Sequence, residues 1–534
     1  MRRFALAAFL LSAALVLLAP STAWAAPASD PEPEISHLLN RIGFGPRPGD
    51  IERVRAIGTE RYIDLQLHPE RIDDSACDRR LEGLRSLAMS SADIVRTYPG
   101  AALVSRIEKR AESGDERARK LLASLVPVDE RGNPRDVLVD LASQKLIRAV
   151  HSERQLQEVM VDFWMNHFNI YWPKGQDKVY LTAFERDVIR PRALGRFRDL
   201  LNATAHSPAM LVYLDNWLST AETATTADGK RKPGLNENYA REIMELHTLG
   251  VDGGYTQRDV VEVARCFTGW TIGRPRGKVS AGATETGSSD FVFRTRMHDN
   301  GQKVVLGSTI AAGGGEGDGL AVIDLLSRDP HTARFISLKL CRRFVCDEPS
   351  KALVERVAGV FRKTDGDIRA MVRAIITSSE FRSPKVRAAK IKTPFELVAS
   401  AIRAVNGETQ GGLPLANTLR TMGMPLYLCQ PPTGYSDLAQ AWVSSGALLE
   451  RMSFAVALTE GRVRGVTAHP EPLLAELPTE VNAMVETLGR RLVGRPLSEE
   501  TSTTLRKTVG EAPASNRVRQ TAGLIIGSPE FQRR

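Results

Sequence analysis

The sequence is poor in cysteine and lacks the short motifs that identify several large enzyme classes. It contains no P-loop, no G-x-S-x-G nucleophile pattern, no H-E-x-x-H zinc pattern and no dinucleotide-binding glycine pattern. Its five cysteines are an odd number, and no two are spaced as C-x-x-C, which argues against a zinc–thiolate site. No specific disulfide is predicted, since Cys341 and Cys346 can bridge only if a helix ends between them.

The chain also has no long apolar run after its first 25 residues, so no transmembrane segment is predicted in the mature protein. At the start, two adjacent arginines precede an apolar run at 4–19, and an Ala-Trp-Ala sequence at 23–25 supplies a small-x-small cleavage pattern. We therefore expect residues 1–25 to be a signal peptide for general secretion, removed before Ala26. The mature protein is then expected to be secreted or periplasmic.

The composition is that of an ordinary globular protein with a mild basic excess. Hydrophobic residues make up 42% of the chain and charged residues 25%, with no long low-complexity tract. The net charge of +9 permits an anionic partner without requiring one, and no nucleic-acid partner is predicted. We expect a Pro-rich linker at 26–34, a main helical domain at 35–465 and a small C-terminal helical unit at 466–534.

Helix start signals recur along the chain and predict an all-α fold. Thr256-Gln257-Arg258-Asp259 is a capping box followed by apolar residues at helical spacing. Asp329-Pro330 places proline directly after an N-cap residue, and Thr393-Pro394-Phe395-Glu396 combines both signals. The prediction is a large multi-helix globular protein with a small β-hairpin insertion.

The hairpin is predicted at about 290–307. β-prone runs at Phe291–Arg294 and Lys303–Leu306 flank a turn at Asp299-Asn300-Gly301. At this turn His298 and Asp299 form either a candidate functional site or, in the simpler interpretation, a turn stabilised by an Asx contact. Because the hairpin interrupts a helical protein and has glycine-rich flanks, we expect it to be an exposed lid or rim.

A helix around Asp162 separates polar and aromatic residues onto opposite faces. The polar stripe consists of Gln155, Glu158, Asp162, Asn166 and Asn169, and the other face holds Met160, Phe163, Trp164, His167 and Phe168. His167 is therefore expected to point inward. It is either a core histidine with backbone or side-chain partners, or a buried base or metal ligand.

A second polar helix places Glu242 and Glu245 on one face. These carboxylates belong either to a solvated, salt-bridged surface or to a cleft in which they do acid–base work or bind a cation. On a regular helix His247 points roughly 140–160° away from both, which excludes a three-ligand site on this helix alone. Since His247 and His167 each lie on an apolar face, we expect the two to be buried within reach of one another.

A basic stretch with no acidic residue follows later in the chain. Its five positive charges are Arg382, Lys385, Arg387, Lys390 and Lys392. A solvated basic face is the default expectation. The alternative is an anion-binding surface for a polysaccharide, a lipid head group or an acidic protein.

Several of these segments together resemble a bacterial family catalogued as domain of unknown function 1800. The resemblance covers about residues 35–460 and is carried by Ser36–Pro46, Asp162–Phe168, Asn236–Gly250, Tyr255–Trp270, His298-Asp299 with Lys303 and Leu306-Gly307, Arg334–Val345 and Lys390–Leu397. It implies a secreted, all-helical protein with no established activity, and a secreted sulfatase-like protein encoded nearby as a candidate partner. Family members commonly read Trp-His-Asn-His-Phe where this chain has Trp164-Met165-Asn166-His167-Phe168, which removes one candidate metal ligand.

Two function hypotheses follow. The first is an extracytoplasmic hydrolase-like enzyme with a site between the Asp162 and Glu242 helices, and its candidate residues are His167, Glu242, Glu245, His247, His298 and Asp299. The second is a non-catalytic binding or assembly protein that engages a secreted partner or an anionic surface polymer, with the same polar residues as internal struts. The sequence leaves the substrate, any cofactor or metal, and the oligomeric state open.

Overall fold

The computed structural model describes residues 32–221, 234–273, 291–510 and 517–534. The structure is 63% helical, and within the described ranges its strands form only small two-stranded sheets. The prediction of an all-α fold with a small β-hairpin is confirmed. The expected signal peptide at 1–25 and most of the expected linker lie outside the described residues. Within the described ranges, no helix has both the length and the apolar character needed to cross a membrane.

The first half of the chain forms fourteen α-helices in its described part. They are α1 (Glu32–Arg41), α2 (Asp50–Ile57), α3 (Thr59–Leu67), α4 (Ser75–Leu81), α5 (Ser91–Thr97), α6 (Ala101–Glu112), α7 (Glu116–Ser124), α8 (Pro134–His151), α9 (Gln155–His167), α10 (Asp177–Ala183), α11 (Phe197–Ala205), α12 (Pro208–Tyr213), α13 (Asn238–Glu245) and α14 (Gln257–Cys266). A π-helix, Phe184–Ile189, continues directly from α10.

The second half adds twelve α-helices to those described. They are α15 (Gly317–Arg328), α16 (Pro330–Phe344), α17 (Lys351–Lys363), α18 (Ile368–Ile376), α19 (Ser379–Arg382), α20 (Pro394–Ala404), α21 (Leu413–Thr421), α22 (Ser445–Thr459), α23 (Glu471–Leu474), α24 (Val481–Val493), α25 (Glu499–Gly510) and α26 (Arg517–Ile526). Short 3₁₀ turns connect several elements: Pro69–Arg71, Arg85–Ala88, Val128–Glu130, Arg190–Arg192, Asn216–Leu218, Thr295–Met297, Pro384–Val386 and Ala439–Trp442.

Helices begin at each of the three capping sequences that predicted a helix start. Thr256 and Asp259 cap α14 reciprocally, with Asp259 N donating to Thr256 Oγ1 at 3.3 Å and Thr256 N donating to Asp259 Oδ2 at 2.9 Å. Thr393 and Glu396 form the same capping box at α20. Asp329 caps α16, which starts at Pro330. Each cap satisfies backbone donors that have no partner within the helix, and such a cap stabilises a helix by about 1 kcal/mol.

The strands form three antiparallel pairs in the described part of the chain. They are β1 (Trp270–Ile272) with β2 (Phe291–Phe293), β3 (Lys303–Val305) with β4 (Ser308–Ile310), and β5 (Glu408–Thr409) with β6 (Val466–Thr467).

The predicted pairing of the two β-prone runs is therefore wrong, since β2 and β3 do not pair with each other. β3 turns back into β4 through Leu306 and Gly307, whose φ angles are 49° and 77°. Positive φ at both central residues is typical of the two-residue hairpin turn whose twist matches that of the antiparallel strands it joins. β3 therefore pairs with β4, which is separated from it by two residues. The alternative partner, β2, lies farther away along the chain, beyond Asp299-Asn300-Gly301.

One hydrophobic core runs from Ile35 to Phe531, and contacts between distant segments tie it together. The buried Arg41 of α1 donates to the backbone O of Phe344 at 3.2 Å and of Val386 at 2.6 Å. Arg403 of α20 pairs with Asp50 of α2 at 3.0 Å. The first helices are therefore bonded to segments that lie more than 300 residues later in the chain.

Candidate functional site

The two inward-pointing histidines lie next to each other in the core. His167 ends α9, and His247 follows α13 in a turn in which its N–H donates to the O of Glu242 at 3.0 Å. The ring centroids are 6.1 Å apart, and both side chains are buried. Nε2 of His167 lies 3.1 Å from the backbone O of His247. Because a carbonyl only accepts, this nitrogen is the donor.

Burial keeps both rings neutral. It lowers the pKa of His247 to about 3 and holds the pKa of His167 well below its usual range, with Lys339 adding to the second shift. The rings of Trp164 and Phe168 contact His167 edge-on, with centroids 5.4 and 4.7 Å away. The histidine pair is thus enclosed by aromatic side chains.

Glu242 and Glu245 lie half-buried on α13. Glu245 accepts a hydrogen bond from the Tyr255 hydroxyl at 2.9 Å. Burial raises the pKa of Glu242, and the neighbouring Glu245 adds to the shift. Among the described residues, no hydrogen bond joins either carboxylate to the ring of His167 or His247. The glutamates and the histidines are therefore two separate features.

We expect His167→Ala to lower the free energy of unfolding by about 2 kcal/mol, because it removes a buried ring and leaves the His247 carbonyl without its donor. The matched control is His469→Ala, which changes an exposed histidine and should alter stability by less than about 0.5 kcal/mol. Urea unfolding at neutral pH measures both variants. Equal losses would contradict a stabilising role for His167.

His298 belongs to a buried charged cluster. Its Nδ1 lies 2.8 Å from the O of Thr268, and its Nε2 lies 3.1 Å from Oδ2 of Asp318. Nζ of Lys303 reaches the same carboxylate oxygen at 2.5 Å, and the three side chains are at most 1% exposed. The expectation of an exposed lid is therefore wrong for His298, because this pairing holds the segment in the core.

Asp299 has different side-chain partners from His298 and makes the Asx contact of the simpler interpretation. Its Oδ1 accepts from the Gly301 N–H at 2.8 Å, and its carboxylate pairs with Arg265 of α14 at 2.9 Å. Burial opposes its ionisation, yet Arg265 holds the pKa of Asp299 below its usual range. Asp299 is thus a turn residue anchored to a helix.

A cleft that is open to solvent lies along the polar stripe of α9. Asp162, Asn166 and Asn169 line one side of it. The other side is formed by residues of the C-terminal half, among them Arg343, Lys390, Glu396, Tyr435, Asp437, Trp442 and Arg534. The stripe therefore faces the C-terminal half of the chain.

The two asparagines of the stripe act as internal struts. Asn166 exchanges two hydrogen bonds with the backbone of Tyr435, at 2.9 and 2.7 Å. Asn169 donates to the O of Cys429 at 2.9 Å and to the O of Pro431 at 2.8 Å. They fix the irregular segment between α21 and α22, and this segment supplies part of the opposite wall of the cleft.

Lys145 of α8 and Asp162 form an ion pair at 2.6 Å on the cleft wall. Behind them the buried Glu185, in the π-helix, accepts a hydrogen bond from the Tyr427 hydroxyl at 2.6 Å. Tyr427 has a φ of 60°, in the left-handed region that side chains other than glycine rarely adopt. Strained residues and π-helical turns concentrate at functional sites. Both mark this wall as a functional candidate.

Six buried cations lie on and behind the opposite wall, and we call them the cationic cluster. They are Arg41, Arg343, Lys390, Lys392, Arg451 and Arg534, none more than 8% exposed. Two carboxylates in the described part of the chain pair with them: Asp347 with Lys390, and Glu396 with both Arg343 at 2.8 Å and Arg534 at 2.9 Å. The cluster therefore carries an excess of positive charge.

Backbone pairing explains why two lysines of the basic stretch point inward. Residues 390–392 run antiparallel to residues 532–534, with Lys390 N donating to Arg534 O at 3.2 Å and Arg534 N donating to Lys390 O at 2.9 Å. In an extended segment alternate side chains share a face, so Lys390 and Lys392 turn to the same side. The expectation of a solvated basic face is wrong for these two lysines.

The charges of the cluster perturb one another. Burial opposes ionisation of Glu396, yet Arg534 and Arg343 lower its pKa to about 2. Burial lowers the pKa of Lys392 to about 7, and burial together with Arg343 lowers the pKa of Arg534 to about 10. Like charges held together in a low-dielectric region destabilise one another, so the cluster favours an additional negative charge nearby.

Arg343 has hydrogen-bonding capacity that the described residues do not use. Its Nη1 lies 2.8 Å from Oε1 of Glu396 but off the hydrogen-bonding direction, and neither Nη1 nor Nη2 has a hydrogen-bond partner among the described residues. A buried donor without an acceptor costs about 1–3 kcal/mol, more when it is charged. An oxygen-bearing anion in the cleft would supply the acceptors.

The cysteines remain free, and no metal cluster was found in the described ranges. α16 ends at Phe344, between Cys341 and Cys346, which meets the condition for a bridge, but both are free thiols. The described residues contain no group of three or more His, Cys, Asp or Glu side chains placed to hold a metal ion.

Sequence reasoning missed the four arginines of the cationic cluster, and for Arg451 a signal was present. Arg451 lies on the same face of α22 as Phe454, Ala455 and Leu458, all of them buried. A charged residue at a core position of an apolar periodicity marks a buried ion site. Arg534 has no comparable local signal.

Comparison with known proteins gives a family but no function. The sequence model of a family described as Protein of unknown function (DUF1800) matches residues 37–533. No curated protein and no solved structure matches the chain.

Proposed function

The chain belongs to the DUF1800 family, whose description gives no activity, and from the geometry of its cleft we propose that it binds a ligand through an oxyanion group. Carboxylate, sulfate and phosphate share the chemistry required. The observation that carries the proposal is Arg343, a residue of the cleft wall whose two terminal guanidinium nitrogens are buried and lack hydrogen-bond partners in the described structure. Guanidinium is the side-chain group best matched to planar or tetrahedral oxyanions.

The charge balance of the wall supports the same ligand class. Arg343 and Arg534 share the single carboxylate of Glu396, and Lys390 shares Asp347 with the segment at 437–439. An anion placed between these cations adds attractive interactions with several of them at once, in a region where water screens little. The opposite wall offers Asp162, already neutralised by Lys145.

This proposal corresponds to the binding-protein hypothesis, with the polar stripe of α9 in a supporting role. The hydrolase-like hypothesis is the second candidate, and it is supported by one observation. The pKa of Glu242 is raised by burial and by Glu245, as a general acid requires. The hydrolase-like hypothesis places the active site at α13, away from the cleft, and requires that a substrate be hydrolysed there.

We also propose that the protein binds this ligand outside the cytoplasm, because residues 1–25 resemble a signal peptide. An anionic surface polymer would then present the oxyanion group. A secreted sulfatase-like partner is a further proposal that rests on the family resemblance alone.

We expect Arg343→Met to weaken oxyanion binding by at least about tenfold, because a hydrogen bond to a charged group contributes about 1.5–3 kcal/mol. Thermal unfolding in sulfate, phosphate or acetate, each compared with chloride at equal ionic strength, measures the binding as a rise in melting temperature. The fold should tolerate the change, since Glu396 keeps Arg534 as a partner.

The matched control is Arg533→Met, which removes an equal charge from an exposed neighbour of Arg534. It should keep the oxyanion effect of the unmodified protein. The proposal fails if oxyanions stabilise the unmodified protein no more than chloride does, or if both variants lose the effect to the same extent.

A further inference from the structure

The cleft also presents polar groups that a simple oxyanion does not use. On its α9 wall, Lys145 and Asp162 pair at 2.6 Å, and their side chains are 15% and 17% exposed. On the other wall, Asp437 pairs with Lys339 of α16 at 2.8 Å, and the Asp437 side chain is 24% exposed. Both aspartates line the cleft and are partly exposed, so a ligand in the cleft can contact them.

The two aspartates have acceptor capacity to spare. A carboxylate can accept about four hydrogen bonds. Asp162 pairs with Lys145 through Oδ1, and Asp437 pairs with Lys339 through Oδ2. No other group of the described residues hydrogen-bonds to either carboxylate. Each aspartate therefore has lone pairs available to a donor in the cleft.

Lys145 is held in position before a ligand binds. Its Nζ lies 5.1 Å from the centroid of the Phe395 ring and 5.5 Å from that of the Tyr427 ring, in addition to its contact with Asp162. The pair thus offers a donor and an acceptor side by side, with little side-chain entropy left to lose. A hydroxyl group, which both donates and accepts, is the neutral group that satisfies both.

Two protein hydroxyls on the cleft wall fit the same kind of ligand. Oγ of Ser436 accepts from the N–H of Leu438 at 3.2 Å, and Oγ1 of Thr393 accepts from the N–H of Glu396 at 3.2 Å. Within the described chain neither hydroxyl donates a hydrogen bond. Both keep a hydrogen for an oxygen atom in the cleft.

The two walls are close enough for their charges to interact. Burial and Arg343 lower the pKa of Arg534 to about 10, while Glu396 and, from the facing wall, Asp162 oppose the shift. Coulomb interactions weaken with distance, so this coupling indicates that Asp162 lies near the cations. A hydroxyl group at Asp162 and an acid group at the cations can therefore belong to one small molecule.

We infer that the ligand of the cleft is an acidic sugar, whose hydroxyl groups are bound by the two lysine–aspartate pairs and whose acid group is bound by the cationic cluster. This inference rests on the proposed oxyanion function and narrows its ligand class. A sugar carries several hydroxyls on one rigid ring, so it contacts both walls without the entropic cost of ordering a flexible chain. An acid without hydroxyls lacks these hydrogen bonds and binds more weakly.

Titration calorimetry of the full chain compares D-glucuronate, D-galacturonate and D-glucose 6-sulfate with two reference ligands. Cyclohexanecarboxylate has the ring and the charge without hydroxyls, and D-glucose has the hydroxyls without the acid group. We expect at least one acidic sugar to bind at least about tenfold more tightly than either reference ligand, because hydrogen bonds to charged groups are the stronger kind. The uronates and the sulfate ester distinguish the two sources of the acid group.

Asp162→Asn and Asp437→Asn each replace a carboxylate with an amide of the same size. Each should weaken binding of the acidic sugar by at least about fivefold and should not weaken binding of cyclohexanecarboxylate, because no cation is removed. The matched control is Asp215→Asn. Asp215 pairs with Lys174 at 2.7 Å outside the cleft, and asparagine tolerates its φ of 60°. The control should keep both affinities.

The outcomes separate this inference from the proposed function. Equal affinity for the acidic sugars and cyclohexanecarboxylate would overturn the sugar assignment and leave the oxyanion proposal standing. Failure of every acid to bind would overturn both. Binding of D-glucose as tight as that of the acidic sugars, or an equal loss of sugar binding in Asp215→Asn and the two cleft variants, would also overturn the assignment.

Discussion

Replacing Asp318 by alanine should lower the free energy of unfolding by about 3–5 kcal/mol, because it leaves a buried lysine charge without its partner. Asp318 accepts from Lys303 at 2.5 Å and lies 3.1 Å from Nε2 of His298, and water reaches none of these side chains to replace the lost carboxylate. Chemical denaturation at neutral pH measures the loss.

The control for this change lies on the same helix. Asp324 pairs with Arg198 at a partly exposed position of α15, and Asp324→Ala should reduce stability by less than about 1 kcal/mol. Adding Lys303→Met to Asp318→Ala should recover much of the loss, since the unpaired charge is then gone. A double variant no more stable than Asp318→Ala would contradict a charge-based cause.

Replacing Glu396 by glutamine should produce a loss of similar size, about 3–5 kcal/mol, because Arg343 and Arg534 lose the carboxylate they share. Burial opposes ionisation of Glu396, and the two arginines nevertheless lower its pKa from the ordinary 4.5 to about 2. The carboxylate therefore stabilises the folded state fully above about pH 4.5, by about 3 kcal/mol, and this contribution disappears as the pH falls toward 2.

The pH dependence provides the sharper test. The stability difference between the unmodified protein and Glu396→Gln should be complete at neutral pH and should shrink progressively as acid protonates the carboxyl group. Glu486→Gln, on the exposed face of α24, is the control and should change stability little at any pH. A difference for Glu396→Gln that stays constant down to about pH 2 would rule out the ion pair as its source.

Local features of the fold could be predicted from the sequence, and features that depend on distant segments could not. The caps at Thr256, Asp329 and Thr393 depend on residues within one helical turn, and all three begin helices. The strands that contain Phe291 and Lys303 could each pair through more than one turn. The β-propensity of a run does not show which of these turns forms.

The same division applies to the candidate sites. Helical periodicity alone pointed His167 and His247 inward, and the rings lie 6.1 Å apart. The cleft escaped prediction because its walls come from α8, α9 and segments near positions 343, 390, 435 and 534. Lys390 and Lys392 look like surface residues until the pairing of 390–392 with 532–534 is known.

The hydrogen bonds of Arg41 join parts of the chain that lie far apart in the sequence. Arg41 lies in α1, and its acceptors, the carbonyls of Phe344 and Val386, are 303 and 345 residues away along the chain. Contacts of such sequence separation form slowly, because a long loop must close before they contribute. We therefore expect the contacts of Arg41 with the rest of the cationic cluster to form late in folding.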